Sequence, residues 1–262
     1  MQNGIGAVNT IAPLNNVALF TELMDRVVNR PRHLPGLGTF HGFSGYGKTF
    51  SATYAANTYR ALHVEAGASW TLKKFCQSVL RELGFVEGRR RRDQHSVQAV
   101  DVMPKTIPDM VEQIIEALAI EERPLIIDEF DHVTNWGEKS VNVIREILDK
   151  SQAAIILIGE EGLPNKLQTW ERVHNRVLDW VPAQPASQDD THILAQLYCP
   201  GLHVASDLAG HITALAEGRV RRICVNLERV REFAASSGID RVDLAAWGDR
   251  PFWTGRPPAR RG

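Results

Sequence analysis

Two short stretches carry residue types suited to phosphate chemistry. The first, Gly42-Phe43-Ser44-Gly45-Tyr46-Gly47-Lys48-Thr49, fits G-x-x-x-x-G-K-[ST]. In such a loop the backbone N–H groups of Gly42, Ser44, Gly45, Tyr46 and Gly47 converge on phosphate oxygens, and the helix that follows adds the positive end of its dipole. Lys48 reaches the β- and γ-phosphates, and the Thr49 hydroxyl goes to Mg2+. The second stretch, Pro124-Leu125-Ile126-Ile127-Asp128-Glu129, is an apolar strand ending in two carboxylates. Asp128 at the strand's end holds Mg2+ through water, and Glu129 polarises the attacking water as general base. The pair implies ATP and Mg2+ as cofactors, and hydrolysis rather than transfer of the phosphoryl group to another substrate. Asp131 and His132 follow at once and read as a polar loop, a place behind the first carboxylates being the second option.

These groups need elements to hold them. Leu37–His41 reads as a short strand before the glycine-rich turn, and residues 48–57 as the helix after it. Further strands are expected at 61–65, 124–127, 154–158 and 176–181, with helices over 17–28, 72–83, 107–118, 141–148 and 163–172 between them. Thr106 is a candidate N-cap and Gly84 a helix stop. The strands are continuous apolar runs rather than alternating ones, which is the pattern of a parallel sheet covered on both faces. After Pro185 only helices are expected, at 191–198, 206–216, 219–235 and 242–247. The expected organisation is an N-terminal arm over 1–16, an α/β core over 17–186, a small helical lid over 187–247 and a basic, Pro-rich tail over 248–262, unstructured over 255–262.

Composition excludes several classes. The chain has 262 residues, a formal net charge of −1 and 44% hydrophobic residues, so it is neither a disordered tail nor a disulfide-framework peptide. No apolar run approaches the roughly 20 residues of a membrane span, and the first residues carry no secretory pattern. Cys76, Cys199 and Cys224 are far apart and form no zinc pattern, which suits a reduced, cytoplasmic setting.

The combination of GFSGYGKT, LIIDEF, a later apolar strand IILIG, an Arg-bearing segment and a helical lid resembles an AAA+ ATPase: a P-loop core with a five-stranded parallel sheet followed by a small helical lid. Within that group, GFSGYGKTFSA, PLIIDEFDHV, ILIGEEGLPNKL and EGRVRRI resemble the transposition ATPases related to the phage Mu B protein. The resemblance covers about residues 17–235 and implies ATP-bound helical filaments on double-stranded DNA that recruit a transposase. It implies that one copy completes the site of the next with an arginine just before the fifth strand; Arg176 matches that place, with Arg172 in reserve. It implies a lid arginine sensing the γ-phosphate, at Arg221, with Arg219 and Arg222 beside it. The polar sensor expected after the fourth strand departs from the pattern: Gly159-Glu160-Glu161 stands there, with Glu160 as the substitute.

The chain before Gly42 is too short for a separate N-terminal helix-turn-helix domain, so DNA contact is expected from the core. Arg89, Arg90, Arg91 and Arg92 could meet phosphates without reading sequence, joined by Lys73 and Lys74. Arg256, Arg260 and Arg261 are a weaker set. A charge run is more often a solvated loop. Two other functions share these motifs: a helicase loader working on single-stranded DNA, and a nucleotide-gated protein-interaction switch that binds no DNA.

Overall fold

The structure, a computed structural model, describes residues 13–86 and 102–255. Arg89–Arg92 and the tail arginines 256, 260 and 261 lie outside the described residues. The chain divides into two compact units. Of the described residues, the larger holds Leu19–Phe43, 48–86 and 102–183; the other holds 13–18, Ser44–Gly47 and 184–255.

In chain order the elements up to residue 182 are α1 (Asn15–Val28), β1 (Leu37–His41), α2 (Lys48–Tyr59), β2 (Leu62–Glu65), α3 (Leu72–Glu82), α4 (Ile107–Glu121), β3 (Leu125–Asp128), α5 (Phe130–Asn135), α6 (Glu138–Ser151), β4 (Ile155–Gly159), α7 (Leu163–Gln168), α8 (Glu171–His174) and β5 (Val177–Pro182). The five strands form one parallel sheet in the order β2-β3-β4-β1-β5. Every residue of β1, β3 and β4 is buried, whereas the edge strands β2 and β5 are partly exposed. The apolar runs are therefore the strands covered on both faces, as expected for a parallel sheet. Phe20 of α1 meets Phe40 of β1 edge-on, ring centroids 5.1 Å apart. Phe75, Met110, Ile114, Leu118, Ile144 and Ile147 pack around the β2–β3–β4 side.

Local chemistry sets the ends. Thr106 caps α4 by accepting the Asp109 N–H, as the sequence indicates. The α3 helix stops at Leu83, and Gly84 follows with φ +90°. The helix expected over 163–172 is instead two short ones, because Trp170 leaves helical geometry at φ −113°, ψ 80°. The six-residue α5 is too short to show a period in the sequence.

The second unit contains α9 (Gln188–Tyr198), β6 (His203–Val204), α10 (Ser206–Leu215), α11 (Val220–Ser237), β7 (Arg241–Val242) and α12 (Leu244–Trp247). A capping box of Ser187 and Asp190 opens α9. The expectation of helices alone needs correction: β6 and β7 pair in parallel, two residues each, a length without a sequence signal. Residues 248–255, the described part of the expected tail, return to α11 and α12. Trp247 stacks on Phe252 at 5.1 Å, and the buried Asn226 bonds both backbone groups of Trp253, taking its N–H at 2.7 Å and donating to its carbonyl at 3.0 Å. No described helix is long and apolar enough to cross a membrane.

Candidate functional site

A parallel sheet brings the carboxyl ends of its strands to one edge, and in open α/β sheets that edge is where ligands bind. Here β1 ends at His41 and leads into the glycine-rich loop, β3 ends at Asp128, and β4, lying between them, ends at Gly159. The sheet thus brings Lys48 and Thr49, at the start of α2, to the edge that carries Asp128 and Glu129.

Gly45 and Gly47 adopt φ +91° and +84°, a region that disfavours any side chain. These turns let the loop present its amides while Lys48 starts a helix. The Lys48 ammonium donates to the carbonyls of Gly42 at 2.6 Å and Phe43 at 3.1 Å. Burial lowers its pKa, against the opposing pull of Glu129, Asp128, Asp131 and Glu160. Lys48 thus carries its charge in the field of four carboxylates while its ammonium bonds to the loop carbonyls.

Asp128 is 1% exposed. Its Oδ1 accepts the Glu129 N–H at 2.8 Å. Its Oδ2 is buried without a hydrogen-bond partner among the described residues, and so is His63 Nε2, 3.8 Å away. Burial pushes this carboxyl up, but His63, the nearby Thr49 hydroxyl and the Glu129 N–H together bring it below its usual value. An ionised carboxylate with a spare oxygen beside a threonine hydroxyl is a donor set for a hard cation, and it fits Mg2+. Glu129 is half-buried, and burial followed by the Asp128 charge raises its pKa. A carboxylate tuned upward at the strand's end has the character of a general base.

The loop residues Ser44–Gly47 belong with the helical unit. Arg219, the N-cap of α11, donates to the Ser44 carbonyl at 2.6 Å, and Val220 N–H to the Gly45 carbonyl at 2.8 Å. The Asn16 amide donates to the Tyr46 and Gln184 carbonyls, both at 2.7 Å, and accepts the Gln184 N–H. Arg221 is exposed on the first turn of α11, and Arg222 pairs with Glu217 at 3.0 Å.

Arg176 is at the opposite end of the sheet, where its carbonyl accepts the Leu37 N–H that opens β1. Five strand residues, roughly 17 Å, separate that end from the loop. Its guanidinium grips Asp149 with two bonds, at 2.9 and 3.0 Å. Arg172 is exposed on α8. Lys73 is exposed at the start of α3, while Lys74 is half-buried with its ammonium 5.7 Å from the Trp70 ring centroid.

Sequence reasoning missed three groups at this edge. Asp131 is not a polar loop residue: it is 6% exposed on the first turn of α5, bonded to the Glu160 N–H and to Lys166, each at 2.6 Å. Its position three residues after Asp128 is the one signal available. Lys166 and His63 have none, because β4 and β2 bring them in from distant sequence.

Comparison with known proteins agrees with this geometry. The sequence profile described as AAA domain matches residues 32–167. None of the curated proteins matches the sequence. Among solved structures, Cdc6p from Pyrobaculum aerophilum is similar with a TM-score of 0.60 at 16% identity, over 88% of this chain and 67% of that one. The Aeropyrum pernix ORC1 protein, solved in complex with DNA, is similar with a TM-score of 0.57 at 18% identity, over 90% and 64%. The Thermotoga maritima RuvB Holliday junction branch migration motor is similar with a TM-score of 0.55 at 14% identity, over 90% and 67%. The chain spans about two thirds of the length of these structures.

Proposed function

The chain belongs to the AAA domain family, and we propose that it is a Mg2+-dependent ATPase that assembles on double-stranded DNA without reading sequence. The observation that supports the ATPase part of the reading is the meeting of Lys48 with Asp128 and Glu129 at one edge of the sheet; the DNA part rests on the sequence resemblance and the basic residues. Lys48 and the loop amides bind the phosphates. Thr49 and Asp128 would hold Mg2+, which would supply positive charge to the polyphosphate. Glu129 accepts a proton from the water that attacks the γ-phosphorus, the bond to the β-phosphate oxygen breaks, and ADP and phosphate leave. The sequence resemblance supports Arg221 as the lid arginine that senses the γ-phosphate.

Arg176 cannot serve its own site from the far end of the sheet. Its place suits a second copy of the chain, whose γ-phosphate it would meet after releasing Asp149. Self-association follows, with ATP holding the assembly and hydrolysis releasing it. Arg89–Arg92, with Lys73 and Lys74, would meet the DNA backbone. The sequence resemblance to transposition ATPases supports a transposase as the partner recruited in the cytoplasm. The likeness of the fold to Cdc6p and to the DNA-bound ORC1 protein favours a second reading, a replication-initiator or helicase-loader role.

The test is binding to random-sequence duplex and single-stranded DNA with an ATP analogue, ADP or no nucleotide, across a salt series. Cooperative, salt-sensitive, duplex-preferring binding with the ATP analogue is the expected result. Preference for single strands would move the reading to the helicase loader. No binding in any state would leave a nucleotide-gated protein switch.

A further inference from the structure

Behind the acidic strand end lies a cluster that the hydrolysis scheme does not use. Asp131 sits on the first turn of α5, Glu160 follows β4, and Lys166 is on α7. Asp131 Oδ2 accepts the Glu160 N–H and Oδ1 accepts the Lys166 ammonium, each at 2.6 Å. The carboxylate is nearly fully buried, and both its oxygens are engaged by donors, which is the condition under which a buried charge is tolerated. The fit is tight: a Cβ on Gly159 would lie 2.4 Å from Asp131 Oδ2, so a side chain there would have to displace the Asp131 carboxylate.

We propose that Asp131 and Lys166 are positioning residues that clamp the β4 terminus, so that Glu160 is held at a fixed place between the lysine loop and the Asp128–Glu129 pair. The strand order makes this geometry consequential, since β4 lies between β1 and β3. Glu160 and Asp131 both act on the charge of Lys48. Lys166 offsets the Asp131 charge, so the clamp adds rigidity without adding a further uncompensated negative charge to a site that must accept a polyphosphate. The same pairing ties α7, which leads through α8 to Arg176, to the acidic strand end. The catalytic part of this inference rests on the ATPase reading above.

The experiment uses the full chain and four variants: Asp131→Asn, Lys166→Met, Lys166→Arg and Glu160→Gln. Lys166→Arg keeps a donor to Asp131, and the melting temperature of each variant is measured to show that it is folded. Two readouts are needed. Hydrogen exchange at the Glu160 amide, measured without nucleotide, reads the clamp alone; protection should fall at least tenfold in Asp131→Asn. Steady-state turnover and nucleotide affinity read its consequence. The kcat should fall about tenfold in Asp131→Asn and Lys166→Met with affinity for ATP changed less than threefold, Lys166→Arg should recover most of it, and Glu160→Gln should reproduce the loss. A Glu160 amide no better protected in the parent than in Asp131→Asn overturns the clamp. Unchanged kcat in folded Asp131→Asn and Lys166→Met, or equal losses of affinity, turnover and melting temperature, overturns the positioning role. An inactive parent protein with a protected Glu160 amide instead overturns the ATPase reading and leaves the clamp standing as a feature of the fold.

Discussion

Glu129 donates its backbone N–H to the side chain of its own predecessor, Asp128, from a left-handed conformation of φ 52° and ψ 42°. A non-glycine residue there is disfavoured by about 1–2 kcal/mol. The bond offsets part of that cost.

Replacing Glu129 by Gln should cut hydrolysis by about 10²–10⁴-fold while nucleotide binding persists. Stability gives a second readout. The folded protein raises the Glu129 pKa, so it holds that proton more tightly than the unfolded chain does, and ionisation costs stability. The cost develops as pH rises from the ordinary carboxylate range through the raised folded value. Glu129→Gln should therefore melt higher than the parent at neutral pH and match it in acid. Turnover should rise with pH over the same window as the base ionises.

Lys48→Met should abolish nucleotide binding without weakening the unliganded fold. Burial lowers the Lys48 pKa, so its charge costs stability, fully below the folded value and progressively less as pH rises toward the unfolded one. A parent protein saturated at a hundredfold its Kd gains about 2.7 kcal/mol. Differential scanning calorimetry should show that gain in the parent and none in the variant. A lower unliganded melting temperature in the variant would mean that the bonds to the Gly42 and Phe43 carbonyls outweigh the burial cost.

Arg176→Ala should cost about 1 kcal/mol or less in stability, because its pair with Asp149 is partly exposed and screened by salt. Its effect on turnover should be far larger if it acts on a neighbouring copy. Mixing Arg176→Ala with Glu129→Gln, each inactive alone, should restore activity at junctions that combine an intact base with an intact arginine. Failure of the mixture to recover any activity would exclude Arg176 from that role.

Asn226→Ala should destabilise the helical unit by about 1–3 kcal/mol, since both backbone groups of Trp253 lose their partner. Removing residues 249–255 should do the same, and limited proteolysis would read both.

The larger unit was legible wherever apolar runs were long. Strands β3 and β4 came from uninterrupted runs such as Ile155–Ile158, and the loop from its glycines and Lys48. What escaped notice was short or assembled from afar. Two-residue strands carry no period, and the break at Trp170 depends on tertiary packing. Asp131 read as solvent-facing because an acidic residue after a strand usually is, and only the arrival of Glu160 and Lys166 makes its burial tolerable. The placement of Arg176 at the far end of the sheet could be told from sequence only as a position before a strand, not as a pairing with Asp149.

The strand order has a cost in time. β1, the second strand from the edge, is made early, yet both its partners, β4 and β5, begin only at Ile155 and Val177. At ribosomal rates of roughly 5–20 residues per second, the Leu37–His41 segment waits on the order of ten seconds without a neighbour. During that interval its two unpaired edges and the apolar face of α1 are open to other nascent chains. Slower synthesis would lengthen the exposure, and yield in a heterologous host should depend on chaperone supply more than on the final stability of the sheet.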